Sequence, residues 1–283
     1  MNREIGLSSC GKPLGEELFI RYQNAGIRHM EISVGLETCY ALPYEKIERW
    51  AKEYGVTLWS YHLPFAPFSE IDPSKKELQK NTLDTFYSLM EKAAKIGIKT
   101  FIVHASGEPI DEKERAARTA CAKESLYCLA EKAKSLGGVI AVEDLPRTCL
   151  GRNSQEVLDL VSAHENLKVC FDTNHLLDED PVEFVKKVGN KIVTLHVSDY
   201  DNVNERHWLP GEGCIDWQGV LRALKEIGYQ GPWLYEIGFE CPRSIIRDRA
   251  LCCEDFVENA KALFAGKTPP RFSESIPNLG MWP

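Results

Sequence analysis

Eight short β-rich runs recur along this chain, and the stretch after each carries helical spacing. The runs are EIGLSS (4–9), HMEISVG (29–35), TLWSYHLP (57–64), TFIVHA (100–105), VIAVED (139–144), KVCFDT (168–173), KIVTLHVSD (191–199) and PWLYEIG (232–238). Apolar strands alternating with helices call for a parallel sheet covered by helices. Eight repeats over about 260 residues are what a closed (β/α)8 barrel, the TIM-barrel architecture, requires. The expected fold class is therefore α/β, a single (β/α)8 domain over 1–265. An open doubly wound sheet is the competing architecture. It is weakened because no G-x-G-x-x-G follows the first run and no G-x-x-x-x-G-K-[ST] occurs anywhere, so no nucleotide cofactor is expected.

The helical stretches carry their own punctuation. Asp72 followed by Pro73 predicts an N-cap and first-turn pair, with Leu83, Phe86, Met90 and Ala93 forming one apolar face behind it. Gly97, Gly137 and Gly228 stand where a helix must stop before the next strand. A helix is expected to begin near Asp216. The last segment, 266–283, is rich in Pro and Ser and fits no ninth unit. It is expected to pack on the barrel or to cover a homo-oligomer interface, anchored by Met281 and Trp282.

With 34 basic against 42 acidic residues, the formal charge of −8 opposes attraction to nucleic acid and to anionic membranes. No apolar run approaches the roughly 18 residues of a membrane span, and the start MNREIGLSSC lacks a signal peptide's apolar core. A soluble cytoplasmic protein is expected. The ten cysteines are scattered with no C-x-x-C pair, which reads as small core residues in a reducing compartment, not as disulfides or zinc fingers.

In a (β/α)8 barrel the chemistry sits at the C-terminal ends of the strands. Those ends carry Glu31, His62, His104, Glu143 with Asp144, Asp172 with His175, His196 with Asp199, and Glu236; the loop after the seventh run adds Glu205 and His207. Taken singly, each is as readily a hydrogen-bonded core residue, a cap or a salt-bridge partner. Together they would bring several carboxylates into one ring, which is costly without a compensating cation. Mixed imidazole and carboxylate donors suit Mn²⁺, Zn²⁺, Co²⁺ or Fe²⁺ better than Ca²⁺. Glu31 would either support a ligand from behind or satisfy a charge pair in the barrel. Arg147, Arg206 and Arg243 are candidates for a substrate phosphate or carboxylate, and Phe65, Phe68 and Trp208 for the apolar face of a sugar; the alternatives are surface arginines and loop cores.

The ordered set HLPF (62–65 without its first strand residues), VHAS, VED, FDTNH, HVSD, RHWLPGEG and YEIG resembles the xylose isomerase-like barrel superfamily over about 4–265. That superfamily includes sugar phosphate isomerases and epimerases, ketose 3-epimerases and the endonuclease IV group. By its epimerase branch, the resemblance implies that Glu143, Asp172, His196 and Glu236 hold the metal. It also implies that Glu143 and Glu236 are the catalytic pair, facing a carbohydrate from opposite sides and moving a proton beside a carbonyl through a metal-stabilised enediolate. Epimerisation and aldose–ketose isomerisation both remain open.

By the endonuclease branch, the resemblance implies further zinc ligands at His62, His104, His175 and His207, with Glu205 where that branch usually has Asp. In the sugar reading these residues bind substrate. The net charge and the rim loops PFAPFSEIDPS and GFECPRS, with Phe65, Phe68, Phe239 and a single Arg243, favour a small sugar over a nucleic-acid backbone. An abasic-site nuclease, a related metal-dependent dehydratase or lyase, and a barrel that binds without turnover are the alternatives. Paired carboxylates argue against the last.

Overall fold

The computed structural model describes residues 3–275. Its strands are β1 (Ile5–Ser8), β2 (His29–Ser33), β3 (Thr57–His62), β4 (Thr100–Val103), β5 (Val139–Glu143), β6 (Leu167–Asp172), β7 (Ile192–His196) and β8 (Trp233–Tyr235). They pair in parallel in the order β7-β6-β5-β4-β3-β2-β1-β8, so the expected (β/α)8 barrel forms. Closure between β7 and β8 rests on one bridge, Val197 with Tyr235, where the Val197 amide donates to the Leu234 carbonyl at 2.9 Å. The barrel is also tight at β1. A Cβ on Gly6 would lie 3.1 Å from the Leu234 side chain and 3.2 Å from that of His29, so only glycine fits there without displacement.

Among the described residues there are nine α-helices: α1 (Glu16–Ala25), α2 (Leu36–Ala41), α3 (Tyr44–Glu53), α4 (Gln79–Lys95), α5 (Glu112–Ser135), α6 (Ser154–Val161), α7 (Pro181–Val188), α8 (Trp217–Glu226) and α9 (Cys253–Phe264). One per strand was expected; the connection from β2 to β3 holds two, α2 and α3. The main apolar core lies between sheet and helices, and Ile102, Ala141 and Cys170 form a small separate cluster. All ten cysteines are free, and Cys39, Cys121, Cys149, Cys170 and Cys253 are buried.

The cap at Asp72 is corrected. α4 begins at Gln79, and Asp72 Oδ1 instead accepts from the Ser74 amide at 2.9 Å and the Ser74 hydroxyl at 2.6 Å, while its other oxygen pairs with Arg118. A side chain that satisfies the backbone two residues on competes with helix initiation, and here the turn wins. Phe86, Met90 and Ala93 are buried as expected, with Leu83 half-buried. Gly97, Gly137 and Gly228 adopt positive φ of 93°, 69° and 71° just past α4, α5 and α8. Asp216 caps α8 by accepting from the Gly219 amide at 2.9 Å.

Beyond α9, a short strand β10 (Ser273–Ser275) pairs antiparallel with β9 (Ile245–Arg247). Arg247 meets Glu212 in a fully buried ion pair at 2.6 Å, and Arg271 donates to the Glu212 carbonyl at 3.3 Å. The chain after α9 thus lies against the P-G-E-G turn. Met281 and Trp282 fall outside the described residues. No helix among the described residues is long and apolar enough to cross a membrane.

Candidate metal centre

Glu143, the last residue of β5, is the hub of the rim. Its Oε1 lies 2.9 Å from His196 Nδ1, and its Oε2 lies 3.0 Å from His62 Nε2 and 3.1 Å from His104 Nε2. His196, ending β7, turns the same Nδ1 toward Glu236 Oε2 at 3.3 Å and Asp172 Oδ2 at 3.7 Å. These neighbours arise because β5, β6 and β7 end on Glu143, Asp172 and His196, with Asp172 paired to His196 and Glu143 to Cys170 two residues before Asp172, while Glu236 directly follows β8. Glu143, Asp172, His196 and Glu236 each offer one ligand atom, all within 4.8 Å of one another, and all four are buried.

The charge distribution fits a cation. Burial pushes the Asp172 carboxyl up to about 6 despite His175, and pushes Glu236 up to about 7, with His196 opposing and Glu143 and Asp172 reinforcing the rise. Burial would raise Glu143 as well, but His196 and His104 hold it well below the usual carboxylate range. Burial opposes the charge on His62, yet the hydrogen bond to Glu143 carries it up to about 9. His104 contacts the same oxygen and is nonetheless lowered, because burial outweighs the attraction and the nearby His62 opposes a second charge.

One atom tests the fit directly. Asp172 Oδ2 is buried with no hydrogen-bond partner, whereas its Oδ1 accepts from the Asn174 amide at 2.6 Å. A buried carboxylate oxygen left unsatisfied costs free energy unless something else meets it. It faces the other three donors, so one nitrogen and three oxygens can converge on a divalent ion of the Mn²⁺, Co²⁺, Zn²⁺ or Fe²⁺ class.

Glu31 sits behind His196. Its carboxylate accepts from His196 Nε2 at 3.0 Å, from Ser60 Oγ at 2.7 Å and from Ser8 Oγ at 3.1 Å, and it is completely buried. A metal-ligating imidazole is commonly oriented by such a carboxylate on its other nitrogen.

A second group lies beside this one. His175 Nδ1 approaches the Asp144 carbonyl at 2.8 Å, and its Nε2 meets Glu205 Oε1 at 2.9 Å. Glu205 Oε2 accepts from Arg147 at 2.8 Å; although burial opposes it, His175 and Arg147 hold this carboxyl well below its usual range. His207, at a φ of 50°, turns its Nδ1 to the Glu236 carbonyl at 3.0 Å. Asn174 accepts the amides of Arg206 at 2.8 Å and His207 at 3.3 Å, which fastens the loop after β7 to the end of β6. Asp199 is structural: it accepts from Gly211, Ile215 and the Trp217 indole, holding the same loop closed.

Several residues expected to contact substrate have partners within the protein. The Arg147 guanidinium is engaged by Glu108, Asn204 and Glu205, which makes it a tie between three rim loops. Arg206 is buried and pairs with Asp201 at 3.0 Å. Trp208 is buried with its indole donating to Ser244 at 2.9 Å, so it fills a loop core. Phe65 does stand at the opening, 41% exposed and stacked on His104 with centroids 4.4 Å apart. Phe68 is half-buried, Phe239 is buried, and Arg243 is exposed.

Lys12, which sequence reading passed over, is buried after β1. Its ammonium donates to the carbonyls of Ser8 at 2.8 Å, Cys10 at 3.1 Å and Ile237 at 2.6 Å, joining the first and last strands beside Glu236. Burial lowers it to about 8.

A profile of the xylose isomerase-like TIM barrel family matches residues 19–250. The chain is 30% identical over 177 residues to an uncharacterised protein of Methanocaldococcus jannaschii, covering 59% of this chain and 60% of that one. It is 28% identical over 200 residues to a D-psicose 3-epimerase of Ruminiclostridium cellulolyticum, covering 64% of each. In both cases less than two thirds of the relative's length is spanned. A solved structure described as a D-tagatose 3-epimerase-like protein superposes with a TM-score of 0.75 at 25% identity, over 93% of this chain and 96% of that one.

Proposed function

The chain belongs to the xylose isomerase-like TIM barrel family, and from that premise we propose that it is a metal-dependent sugar isomerase or epimerase that moves a proton on the carbon beside a carbonyl. The observation that carries this reading is the buried quartet Glu143, Asp172, His196 and Glu236, with ligand atoms within 4.8 Å of one another at the ends of β5 to β8. The likeness to a D-psicose 3-epimerase supports the same chemistry.

In this reading the quartet holds a divalent ion, which supplies electrostatic stabilisation of negative charge growing on substrate oxygens. The residues do the rest. Glu143 is kept ionised and suits the role of base, while Glu236, raised to about 7 by burial, suits a carboxyl that carries a proton near neutrality. Proton removal by one and return by the other gives epimerisation; a single carboxylate moving the proton between adjacent carbons gives isomerisation. His104 would donate to a substrate hydroxyl at the opening, with Phe65 packed on it as an apolar wall, while His62, held between Glu143 Oε2 and the Leu63 carbonyl, would position Glu143.

A second reading, cleavage at abasic sites by a multinuclear centre, draws on the His62, His104 and Glu143 group, whose ligand atoms also lie within 4.8 Å of one another. Glu205 weighs against it. Its Oε2 accepts from the Arg147 cation, which supplies the positive charge that another ion would bring.

The test is incubation of the manganese-loaded protein with a panel of ketoses and inososes in D₂O. Deuterium entering one carbon of one sugar is expected. No exchange with any sugar, together with nicking of abasic-site DNA, would overturn the proposal in favour of the second reading.

A further inference from the structure

Among the described residues Lys12 is the only buried lysine, and nothing in the proposed reaction uses it. The ladder between β1 and β8 ends where Leu7 pairs with Tyr235, one residue short of Glu236. Past that point the ladder gives way: the Glu236 amide reaches the Val197 carbonyl at 3.3 Å, and the Glu236 carbonyl is met by a side chain, His207. Lys12 bridges the gap. The chain leaving β1 turns at Gly11, whose φ of 66° is the left-handed conformation that glycine adopts without strain, and the Lys12 amide closes that turn on the Ser9 carbonyl at 3.0 Å. The ammonium then lies over the ends of both strands, donating to the Ser8 carbonyl at 2.8 Å on one side and to the Ile237 carbonyl at 2.6 Å on the other.

Each end of this bridge leads to the quartet. Ile237 directly follows Glu236. Ser8, whose carbonyl Lys12 holds, places its hydroxyl on Glu31 at 3.1 Å, and Glu31 accepts from His196 Nε2 at 3.0 Å. One buried cation thus reaches two of the four candidate ligands, Glu236 and His196, from behind. Its third proton goes to the Cys10 carbonyl at 3.1 Å, so an ammonium with three donors has none left for a substrate. All three partners are neutral carbonyls, and a buried cation without a paired anion costs free energy that nearby carboxylates can offset. Glu236 and Glu31 lie close enough to act on this charge, and Lys12 in turn balances part of the negative charge gathered at the rim.

We infer that Lys12 is a positioning residue for the quartet: its ammonium fixes the backbone that carries Glu236 and, through Ser8 and Glu31, the imidazole of His196, without touching ion or substrate. The inference rests on the quartet being a metal site, and its effect on turnover rests on the proposed proton transfer.

The test is equilibrium titration of the full chain with Co²⁺. Lys12→Met keeps the side-chain length and removes all three donors, and should weaken Co²⁺ about tenfold, as loss of a group that orients metal ligands does. Lys12→Arg, the variant to use if methionine does not fold, keeps the charge but not the compact head that reaches three carbonyls, and should weaken it about threefold. Because Lys12 acts through Glu236, the double variant Lys12→Met with Glu236→Gln should lose less than the product of the two single losses. In the D₂O assay, Lys12→Met should slow exchange at saturating sugar about tenfold and leave KM within about twofold, since no substrate contact is removed. If the unaltered protein binds Co²⁺ but exchanges deuterium into no sugar, the proposed reaction falls and the Co²⁺ titrations alone decide the role of Lys12. Unaltered Co²⁺ affinity in the Lys12 variant that folds would overturn the inference, as would losses that multiply in full in the double variant. An unaltered protein that binds no Co²⁺ would overturn both the quartet and this inference.

Discussion

Glu31 and His196 meet inside the barrel at 3.0 Å, both fully buried, through the imidazole nitrogen that faces away from the carboxylate cluster. Because Glu31 can only accept, it fixes the proton on Nε2 and leaves Nδ1 for the three carboxylates on the other side. Two serines hold Glu31 in turn. The orientation of the one imidazole in the quartet is therefore set by residues from β1, β2 and β3, half a barrel away.

Glu31→Gln should test this orientation without changing side-chain volume. The amide can present its N–H to Nε2 and favour the wrong tautomer, so metal affinity should fall roughly 10- to 100-fold. Equilibrium titration with Mn²⁺ or Co²⁺ measures it. Unchanged affinity would show that His196 needs no partner.

Glu236→Gln should reduce turnover by roughly 10²- to 10⁴-fold, the usual worth of one acid–base group. The circular dichroism spectrum should be retained, because Glu236 lies at the rim and outside the helix–strand packing. Full activity in this variant would remove Glu236 from the mechanism.

The raised carboxyls give the metal-free protein a definite pH trend. Asp172 and Glu236, pushed up to about 6 and about 7, bind protons more tightly folded than unfolded. Between the unfolded pKa near 4 and these folded values, the native state holds more protons, so their contribution to stability falls as pH rises. Raised His62, at about 9, adds to the fall between about pH 6.5 and 9. A bound divalent ion should reverse this trend, since it needs the deprotonated ligands. Thermal melts with and without Mn²⁺ should show a larger metal-induced rise in Tm at pH 8 than at pH 6. An equal or smaller rise at pH 8 would contradict the quartet as a metal site.

Arg147→Ala should lower stability by about 1–2 kcal/mol, as expected for a partly exposed tie to Glu108 and Glu205, and should cost a few degrees in Tm. Arg147→Lys should not restore the loss, because one ammonium cannot span Glu108, Asn204 and Glu205 together. Differential scanning calorimetry of the three proteins decides it, and rescue by lysine would refute the multiple tie.

The barrel was legible in the sequence because alternation at fixed spacing is a property of local patterning, and the strand-end rule then converted eight runs into one ring of side chains. Glu143, Asp172, His196 and Glu236 lay within that ring, but only the resemblance to the epimerase branch singled them out. What was hidden depended on contacts between distant loops. Lys12 reads as an ordinary solvated charge until Ile237 arrives from 225 positions away to receive it. Arg147 and Trp208 looked available for a ligand because nothing local reveals Glu108, Asn204 or Ser244 as their partners. Asp72 and Pro73 satisfy the rule for a helix start, but Ser74 and Arg118 take the carboxylate for a turn. The additional helix α2 after β2 escaped because it is only six residues long.

His196 and Glu236 stand on either side of the seam between β7 and β8, where the ladder is reduced to the bridge of Val197 with Tyr235. An ion gripped by both would act as a clasp across the weakest join of the cylinder, linking positions 196 and 236 where backbone hydrogen bonds are fewest. Loading the site would then stiffen the whole ring as well as equip it for chemistry, and amide exchange in β8 should slow more than in any other strand when metal is added.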